Sequence, residues 1–599
     1  MFKIFHGSNG LKELSNCDLD QIVGLKFTPA LNSFNQNDFQ APSLLIPQLQ
    51  KCINLKTLDL NIIMNDNLAL ELGSSLKSLK KLTKISLNFF KQQIGLDGIK
   101  NLCEGLSQCT SLNHLYLNLS YGRVCDEGLA ILSSTITNLK NIQTLSLHLG
   151  GYKFGIQGYQ AIGQAISNSL NLTKLILQLN QINLDEQSSQ ILGTSISKCF
   201  NLVDLDINFA YSQIDATKIN GFCSGIANCQ SLQKLNLLLD ENKLGDIGVQ
   251  YLSQALSNCK NLKDLNLFLK RNEIGEQGAS QLGQAFKSCQ SLKKLNLYLD
   301  SNKITPQGLY DLSFGLQQCS SLTQLDLSIL NSNLDQQSLT LLGKGFINCQ
   351  SLKTLKLNLG FQNLGSNSAS ELCSYLSNCQ SIQNLTLVIS DCRIRDQGVS
   401  NLGQQFKKFP NLISLSINLE SNQISSASVQ NLVSGFSDCQ NLQSLTLDLG
   451  SNAIDDQGIL DLSSGLVKCK QLQKLQLAIP MNEISDEGVE NLAKNLTKIN
   501  HLTVLSLNLF RNNIQDQGVF ALCQVLLKCK SIKNLTLNLR YNQISNLGVK
   551  ELAKCLQCCN NISVVNLDIL MNFSVDQQQY QKLYQAVKKQ TNLVHFFHF

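Results

Sequence analysis

The stretch CQSLQKLNLLLDENKLGDIGVQYLSQALSN at residues 229–258 decides the fold, because residues 259–288 repeat its pattern column by column. Leucines at 232, 235, 237 and 239 recur thirty residues later, and Asn242 is matched by Asn272. A fixed period of this length is the signature of a solenoid, in which each structural repeat contacts only its neighbours. The sequence therefore predicts a repeat architecture.

The same pattern extends over most of the 599 residues. Repeats start at residues 52, 79 and 109 and then at every thirtieth residue through 559, which predicts eighteen repeats over 52–588. Residues 589–599 are expected to form a partial terminal repeat. Residues 1–51 depart from the pattern, and we expect them to form an N-terminal cap that covers the open end of the stack, with a short strand at Ile22–Phe27 and a turn and short helix within Pro42–Leu49.

Each repeat divides into a strand and a helix. Leu235 and Leu237 alternate with other residues at the period of two that is typical of a strand. Val249, Leu252 and Leu256 are three and four residues apart and share one face of a helix. Acidic residues at helix starts and lysines at helix ends match the preference of the helix dipole. The acidic positions are Asp126, Asp246, Glu276, Asp396, Asp456, Asp486 and Asp516.

The two kinds of element need different spacing. Parallel strands stack at about 4.8 Å, whereas helices pack at about 8–10 Å. We therefore expect the stack to curve into a horseshoe, with parallel strands on the concave face and helices on the convex face. The predicted fold class is an α/β solenoid.

Three further columns of the repeat are predicted to have structural roles. An Asn where the chain leaves each strand, such as Asn242, can satisfy backbone groups that turn away from the sheet. A Gly in the first turn of the helix, such as Gly248, indicates close packing between repeats. Thirteen of the 22 cysteines occupy the first position of a repeat, where other repeats carry Leu, Phe or Ile. That column predicts a small buried apolar site with reduced thiols.

These motifs carry a family resemblance. Leu-x-x-Leu-x-Leu, followed by Asn-x-Ile/Leu and a helix with Gly-x-x-x-Leu-x-x-x-Leu, resembles the ribonuclease-inhibitor class of leucine-rich repeats over residues 52–599. The strand segment Leu-x-Leu-x-Leu-x-x-Asn is two residues longer than is usual in that class. In a chain rich in Gln, Asn and Lys, this longer unit looks like the expanded repeat families of ciliated protozoa. The resemblance implies the horseshoe fold.

Several function classes are disfavoured. A net charge of +6, without a block of Lys or Arg, does not predict a nucleic-acid binder. Neither a signal peptide nor a membrane helix is predicted, so we expect a cytoplasmic protein, at a ciliary or cytoskeletal location if it belongs to an assembly. The chain has no phosphate-binding loop or kinase motif, and Cys555-x-x-Cys558 lacks a second ligand pair. The sequence therefore predicts no enzyme, no cofactor and no metal.

The candidate site lies between the leucines of the strands, on the predicted concave face. The position before the last leucine is most often Asn, at 61, 88, 118, 208, 358, 418, 508 and 538. Three adjacent repeats instead carry an apolar trio of Leu238, Phe268 and Tyr298. The charged residues that follow the trio are Asp240, Glu241, Lys270, Arg271 and Asp300. Apolar side chains beside mixed charges resemble an interface core with a polar rim, which predicts a protein-binding patch.

Two weaker candidates remain. Met481, Arg511, Tyr541 and Met571 lie at strand exits and are either interface residues or side chains that pack on each other. The chain is predicted to stop inside a strand at Thr591–Phe599. That strand either lies against its neighbour or offers an open edge to a partner.

The function that these features favour is a non-enzymatic scaffold that binds a protein partner on the concave face. One alternative is a regulator of a small GTPase, because the Ran GTPase-activating protein is similar in fold class, although the acidic C-terminal tail of that family is missing. The other alternative is a structural component of a ciliary or cytoskeletal assembly, which would differ from a scaffold in the permanence of its contacts.

Overall fold

The computed structural model describes residues 2–6, 10, 13–14, 17–28, 36–347, 349–572, 575–588 and 593–596. The chain divides into two units, Met1–Tyr298 and Leu299–Phe599. In each unit, strands and helices alternate along the chain, and every paired strand runs parallel to its neighbour.

The first unit contains eleven strands in the described part of the chain. They are β1 Phe2–His6, β2 Gly24–Thr28, β3 Thr57–Asn61, β4 Lys84–Asn88, β5 His114–Asn118, β6 Thr144–His148, β7 Lys174–Gln178, β8 Asp204–Asn208, β9 Lys234–Leu238, β10 Asp264–Phe268 and β11 Lys294–Tyr298. A 3-10 turn spans Leu19–Gln21. The α-helices are α1 Gln36–Leu49, α2 Asp66–Leu76, α3 Leu96–Leu106, α4 Asp126–Asn138, α5 Ile156–Ser167, α6 Glu186–Ser197, α7 Ala216–Ile226, α8 Gly245–Asn258 and α9 Glu276–Ser288.

The second unit continues the alternation. Its described strands are β12 Gln324–Ser328, β13 Thr354–Asn358, β14 Asn384–Val388, β15 Ser414–Asn418, β16 Ser444–Asp448, β17 Lys474–Ala478, β18 Val504–Asn508, β19 Asn534–Asn538, β20 Val564–Asp568 and β21 Leu593–Phe596. Its described helices are α10 Pro306–Gln317, α11 Gln336–Gly345, α12 Ser368–Leu376, α13 Arg395–Phe406, α14 Ser426–Ser437, α15 Asp456–Leu466, α16 Asp486–Leu496, α17 Asp516–Lys528, α18 Asn546–Gln557 and α19 Gln577–Lys588.

The leucine columns form the core between the two layers. Leu265 lies opposite Leu235 and Leu295 on the neighbouring strands, and none of the three is exposed to solvent. On the helix side, Val249 and Leu252 are fully buried as well. Because neighbouring strands pair in the same register, each apolar side chain packs against the residue in the same column of the next repeat. The predicted α/β solenoid is confirmed in each unit.

The acidic residue at the helix start also joins one repeat to the next. The Asp246 carboxylate accepts the N–H of Gly275 at 2.7 Å and the N–H of Gly278 at 3.0 Å, both in the following repeat. A Cβ atom on Gly278 would lie 2.7 Å from that carboxylate, and one on Gly488 would lie 2.3 Å from the carboxylate of Asp456. Those distances are too short for a side chain, so the close packing predicted for the Gly column is confirmed.

The Asn column bridges neighbouring repeats at the strand exits. The amide of Asn242 donates to the carbonyl of Phe209 at 3.0 Å and to the carbonyl of Leu239 at 2.8 Å. Its oxygen accepts the N–H of Ser212 at 3.1 Å and the N–H of Ile214 at 2.9 Å. The side chain thus satisfies four buried backbone groups that no strand partner reaches, as the sequence predicted.

The first-position cysteines are all buried, as the Leu and Phe substitutes in that column predict. Several of them also do something that apolar residues cannot do, because their thiols donate to carbonyls at the end of an earlier helix. Cys199 contacts the carbonyl of Ile166 at 3.5 Å, and Cys439 contacts that of Phe406 at 3.4 Å. Burial raises the pKa of Cys109 to about 11, which keeps its thiol protonated at neutral pH. The buried members are Cys52, Cys109, Cys199, Cys229, Cys259, Cys289, Cys319, Cys349, Cys379, Cys439, Cys469, Cys529 and Cys559.

The N-terminal residues add two strands to the sheet of the first unit. Strand β2 covers most of the short strand predicted at Ile22–Phe27 and pairs with β1 on one side and β3 on the other. Helix α1 is longer than the short helix predicted within Pro42–Leu49. Among the described residues, the helices are all too short or too polar to cross a membrane.

Candidate functional site

The apolar trio lies on three neighbouring strands of the first unit. Phe268, at the end of β10, is in register with Leu238 on β9 and with Tyr298 on β11. All three side chains are half-buried and lie on the solvent-facing side of the sheet, opposite the leucine core. The structure therefore brings together residues that are thirty positions apart in sequence.

Phe268 and Tyr298 form a stacked pair. Their ring centroids are 4.7 Å apart, and the ring planes differ by 13°. Such pairs contribute about 0.5–1.5 kcal/mol beyond their buried area. The two half-buried rings therefore form one aromatic ridge across neighbouring strands. This stacking was not predicted from sequence, although the thirty-residue spacing of two aromatic residues would have indicated it.

The Asn residues that the trio replaces have a structural role. In eight of the eighteen repeats the side-chain oxygen at this position accepts the backbone N–H two residues further along, as Asn508 does for Phe510 at 3.2 Å. Leu, Phe and Tyr have no such acceptor. The repeats in which an Asn or Asp makes this bond include those of Asn88, Asn118, Asn208, Asn418, Asp448, Asn508, Asn538 and Asp568.

Asp240 supplies the acceptor that Phe268 lacks. Its carboxylate accepts the backbone N–H of Lys270 at 2.8 Å, which is the group that an Asn at position 268 would satisfy. Ser120 does the same for Gly150, at 3.2 Å, in a repeat where His148 replaces the Asn. Asp240 therefore has a structural role, because its carboxylate accepts a backbone N–H of the next repeat.

Asp300 follows the same rule in the second unit. Its carboxylate accepts the backbone N–H of Leu330 at 2.8 Å and the hydroxyl of Ser328 at 2.5 Å. Ser328 stands in the column that is most often Asn, and the acceptor again comes from the preceding repeat. Of the eight predicted site residues, Asp300 alone belongs to the second unit, and the other seven lie in the first.

Glu241 and Arg271 pair with each other at the strand exits of β9 and β10. The guanidinium of Arg271 lies 3.0 Å from the Glu241 carboxylate, and the two side chains are 58% and 23% exposed. Both residues have positive φ angles, 58° and 51°, as does nearly every residue of this column. An exposed pair of this kind contributes about 0–1 kcal/mol to stability. Lys270, between the trio and this pair, is half-buried.

A row of amide side chains borders the trio on the strand side. Asn236 donates to the carboxylate of Asp206 at 2.9 Å, and Asn296 donates to the side-chain oxygen of Asn266. These groups lie two residues before the trio on the same strands, in register with one another. Sequence reasoning did not single them out, although identical residues in one column were visible. The trio is thus an apolar ridge between hydrogen-bonding amides and charged side chains.

The weaker strand-exit candidate has mixed surroundings. Its side chains Met481, Tyr541 and Met571 are 42%, 43% and 56% exposed. Tyr541 packs edge to face on Phe510, with ring centroids 5.4 Å apart, and lies beside the guanidinium of Arg540 at 5.2 Å. Local packing thus explains Tyr541, and the sulfur of Met481 accepts the hydroxyl of Ser451 at 3.7 Å.

The C-terminal strand β21 pairs in parallel with β20, with Leu593 opposite Val564. Residues 589–592 and 597–599, which belong to the predicted partial repeat, lie outside the described residues. No cluster of three or more potential metal ligands occurs among the described residues. The contact predicted through this strand stays a prediction.

A family model described as Leucine Rich repeat matches residues 441–463, 500–523 and 532–553. These three segments are similar to leucine-rich repeats. Each covers a strand and most of the following helix in the second unit, and the same columns continue through both units. The fold of each unit is therefore a leucine-rich repeat α/β solenoid. Comparison with the curated proteins gives no match, and the ribonuclease-inhibitor class and the ciliate resemblance stay predictions.

Proposed function

We propose that this leucine-rich repeat protein is a non-enzymatic scaffold that binds a protein partner through the solvent-facing side of its sheet, with the apolar trio at the centre of the contact. Leucine-rich repeats generally mediate protein–protein interaction, and their preformed surface lowers the ordering cost of binding. The observation that carries the proposal is the stacked pair of Phe268 and Tyr298. It interrupts a column that is Asn in eight of the eighteen repeats.

The surroundings of the trio support this assignment. Aromatic residues in the centre of an interface, bordered by polar groups, commonly carry most of the binding energy. The amides of Asn236 and Asn296 and the charges of Lys270 and Arg271 form such a border. The carboxylate of Asp240 is not part of this border, because it accepts the N–H of Lys270.

The test replaces the pair by Asn, the residue that eight other repeats carry at this position. The variant Phe268→Asn/Tyr298→Asn removes the ridge and leaves the acceptor of Asp240 in place, so we expect it to fold normally and to lose partner capture from native cells by tenfold or more. The matched control is Tyr211→Ala/Phe361→Ala, which removes two aromatic side chains that are 58% and 59% exposed at strand exits.

The control should retain every partner that the wild type captures, as judged by quantitative mass spectrometry of the bound fraction. Equal capture by the Phe268→Asn/Tyr298→Asn variant and the wild type would remove the trio from the proposal. A GTP-hydrolysis assay with small GTPases tests the first alternative, and salt-resistant association with a cytoskeletal fraction tests the second. Both alternatives stay predictions.

A further inference from the structure

The lysines of the second unit collect where helices end and strands begin. Across three adjacent repeats, the segments 465–474, 495–504 and 525–534 contain seven lysines and no Asp or Glu. We call these seven side chains the lysine rim: Lys468, Lys470, Lys474, Lys498, Lys528, Lys530 and Lys533. All seven are exposed. These lysines do not form a block in the sequence, because they are spread over repeats that become neighbours only in the fold.

The lysine rim exceeds what the fold needs. Lys468, Lys498 and Lys528 lie at or just beyond helix ends, where the helix dipole favours a positive charge. The other four lie in the turns and at the strand entries, where no dipole explains them. Lys498 donates to Asn495 at 2.8 Å, and no ion pair within the described residues involves any of the seven. The rim is therefore an uncompensated positive surface.

The chemistry of the rim favours an acidic polypeptide as its ligand. Nucleic-acid surfaces typically combine Arg, which binds phosphate in a bidentate manner, with aromatic side chains that stack on bases. The three segments contain no Arg, Phe, Tyr or Trp. Insertion into a membrane surface needs exposed apolar side chains, and no large hydrophobic side chain in these segments is exposed.

The spacing also fits an extended chain. Neighbouring parallel strands lie about 4.8 Å apart and packed helices about 8–10 Å apart, so charges on adjacent repeats are separated by distances in that range. Alternate side chains of an extended polypeptide are about 6.6–7 Å apart, which is within the same range. We propose that the lysine rim binds a Glu- or Asp-rich extended segment of a partner protein, at a site separate from the apolar trio.

The test measures binding of a fluorescein-labelled polyglutamate peptide to the full chain by fluorescence anisotropy. The variant Lys468→Gln/Lys470→Gln/Lys528→Gln/Lys530→Gln should bind about tenfold more weakly, since each exposed pair contributes only a few tenths of a kcal/mol. The matched control removes four exposed lysines elsewhere, as Lys100→Gln/Lys153→Gln/Lys243→Gln/Lys550→Gln. It should change the affinity less than about twofold. Added salt should weaken wild-type binding strongly, because exposed charges are screened.

Three outcomes would overturn the proposal. Equal weakening by the two variants would mean that net charge, and not this surface, drives binding. Tighter binding of a DNA duplex or of phosphatidylserine vesicles than of polyglutamate, lost in the rim variant, would assign the surface to another class of ligand. Salt-sensitive self-association of the chain alone in sedimentation experiments, lost in the rim variant, would make a second copy the occupant. Thermal unfolding by circular dichroism confirms that both variants are folded.

Discussion

The solvent-facing residues of strands β18–β19 form one floor, and those of strands β9–β11 form another. The two floors have the same backbone structure but different side chains. On β18 and β19, Asn508 and Asn538 accept the N–H groups of Phe510 and Arg540, so each repeat satisfies its own strand exit. On β10, Phe268 has no acceptor, and Asp240 of the previous repeat satisfies the exit instead. In the first floor each repeat thus supplies the acceptor for its own strand exit. In the second floor the acceptor for the exit of β10 comes from the preceding repeat.

This difference distinguishes two kinds of residue that depart from the repeat pattern: those with a structural role and those without one. Asp240 stands out as a charge in the sequence, yet its hydrogen bond is a compensation for Phe268 one repeat later. The stacking is not needed for this hydrogen bond, because Asn508 and Asn538 satisfy the equivalent N–H groups in repeats without an aromatic pair. The stacked rings are therefore a departure from the repeat that the backbone does not explain.

The largest effect is expected at a position that both floors share. Asn242→Ala should reduce the free energy of unfolding by about 3 kcal/mol, because it leaves buried N–H and C=O groups without partners. Urea unfolding followed by far-UV circular dichroism measures this loss. Leu238→Asn, in the same repeat, is the control and should change stability by less than about 1 kcal/mol. If the two variants lost equal amounts of unfolding free energy, the trio would have a structural role, and the distinction between the two floors would be wrong.

A smaller effect should come from Asp240. Asp240→Ala leaves the N–H of Lys270 without an acceptor, and we expect a loss of about 1–1.5 kcal/mol in unfolding free energy. Adding Phe268→Asn should restore most of that loss, since the new side chain accepts the same N–H. The equivalent change in the other floor, Asn508→Ala, should cost about as much as Asp240→Ala. A double variant no more stable than Asp240→Ala alone would contradict the compensation.

The sequence predicted the fold in detail because the repeat multiplies every signal. Leu235, Asn242 and Gly248 each belong to a column that recurs many times, so their burial, bridging and close packing followed from pattern alone. The sequence did not predict the hydrogen bonds between different columns of neighbouring repeats. The hydrogen bonds that Asp246 accepts from Gly275 and that Asp240 accepts from Lys270 join residues about thirty positions apart, and the direction of a carboxylate cannot be predicted from spacing.

The trio residues themselves were found by sequence because they break a column. Their stacking, and the dependence of Phe268 on Asp240, required the register of β9–β11. The lysine rim was missed for the opposite reason, because no column of the repeat is always Lys. Its members occupy several columns at helix ends, turns and strand entries, and only the fold places them on one surface.

The smallest effect concerns Asp448, which stands in the Asn position of β16. Burial raises the pKa of this carboxyl, and burial together with the Asp448 charge raises the pKa of Glu420 beside it. A raised folded-state pKa means that the ionised form is disfavoured in the folded protein, so stability should increase as the pH falls through that pKa. Asp448→Asn keeps the acceptor for the N–H of Gly450, which lies 3.0 Å away, and removes the charge.

We therefore expect Asp448→Asn to stabilise the protein by about 0.5 kcal/mol or less at pH 7. This gain should disappear at acidic pH, where the wild-type carboxyl is protonated. Asp455→Asn is the control with the opposite sign, because the hydroxyl of Ser426 and the N–H of Gly458 lower the pKa of Asp455. That change should destabilise the protein at pH 7 and have less effect in acid. Urea midpoints across the pH range measure both, and a gain from Asp448→Asn that is independent of pH would rule out the electrostatic cause.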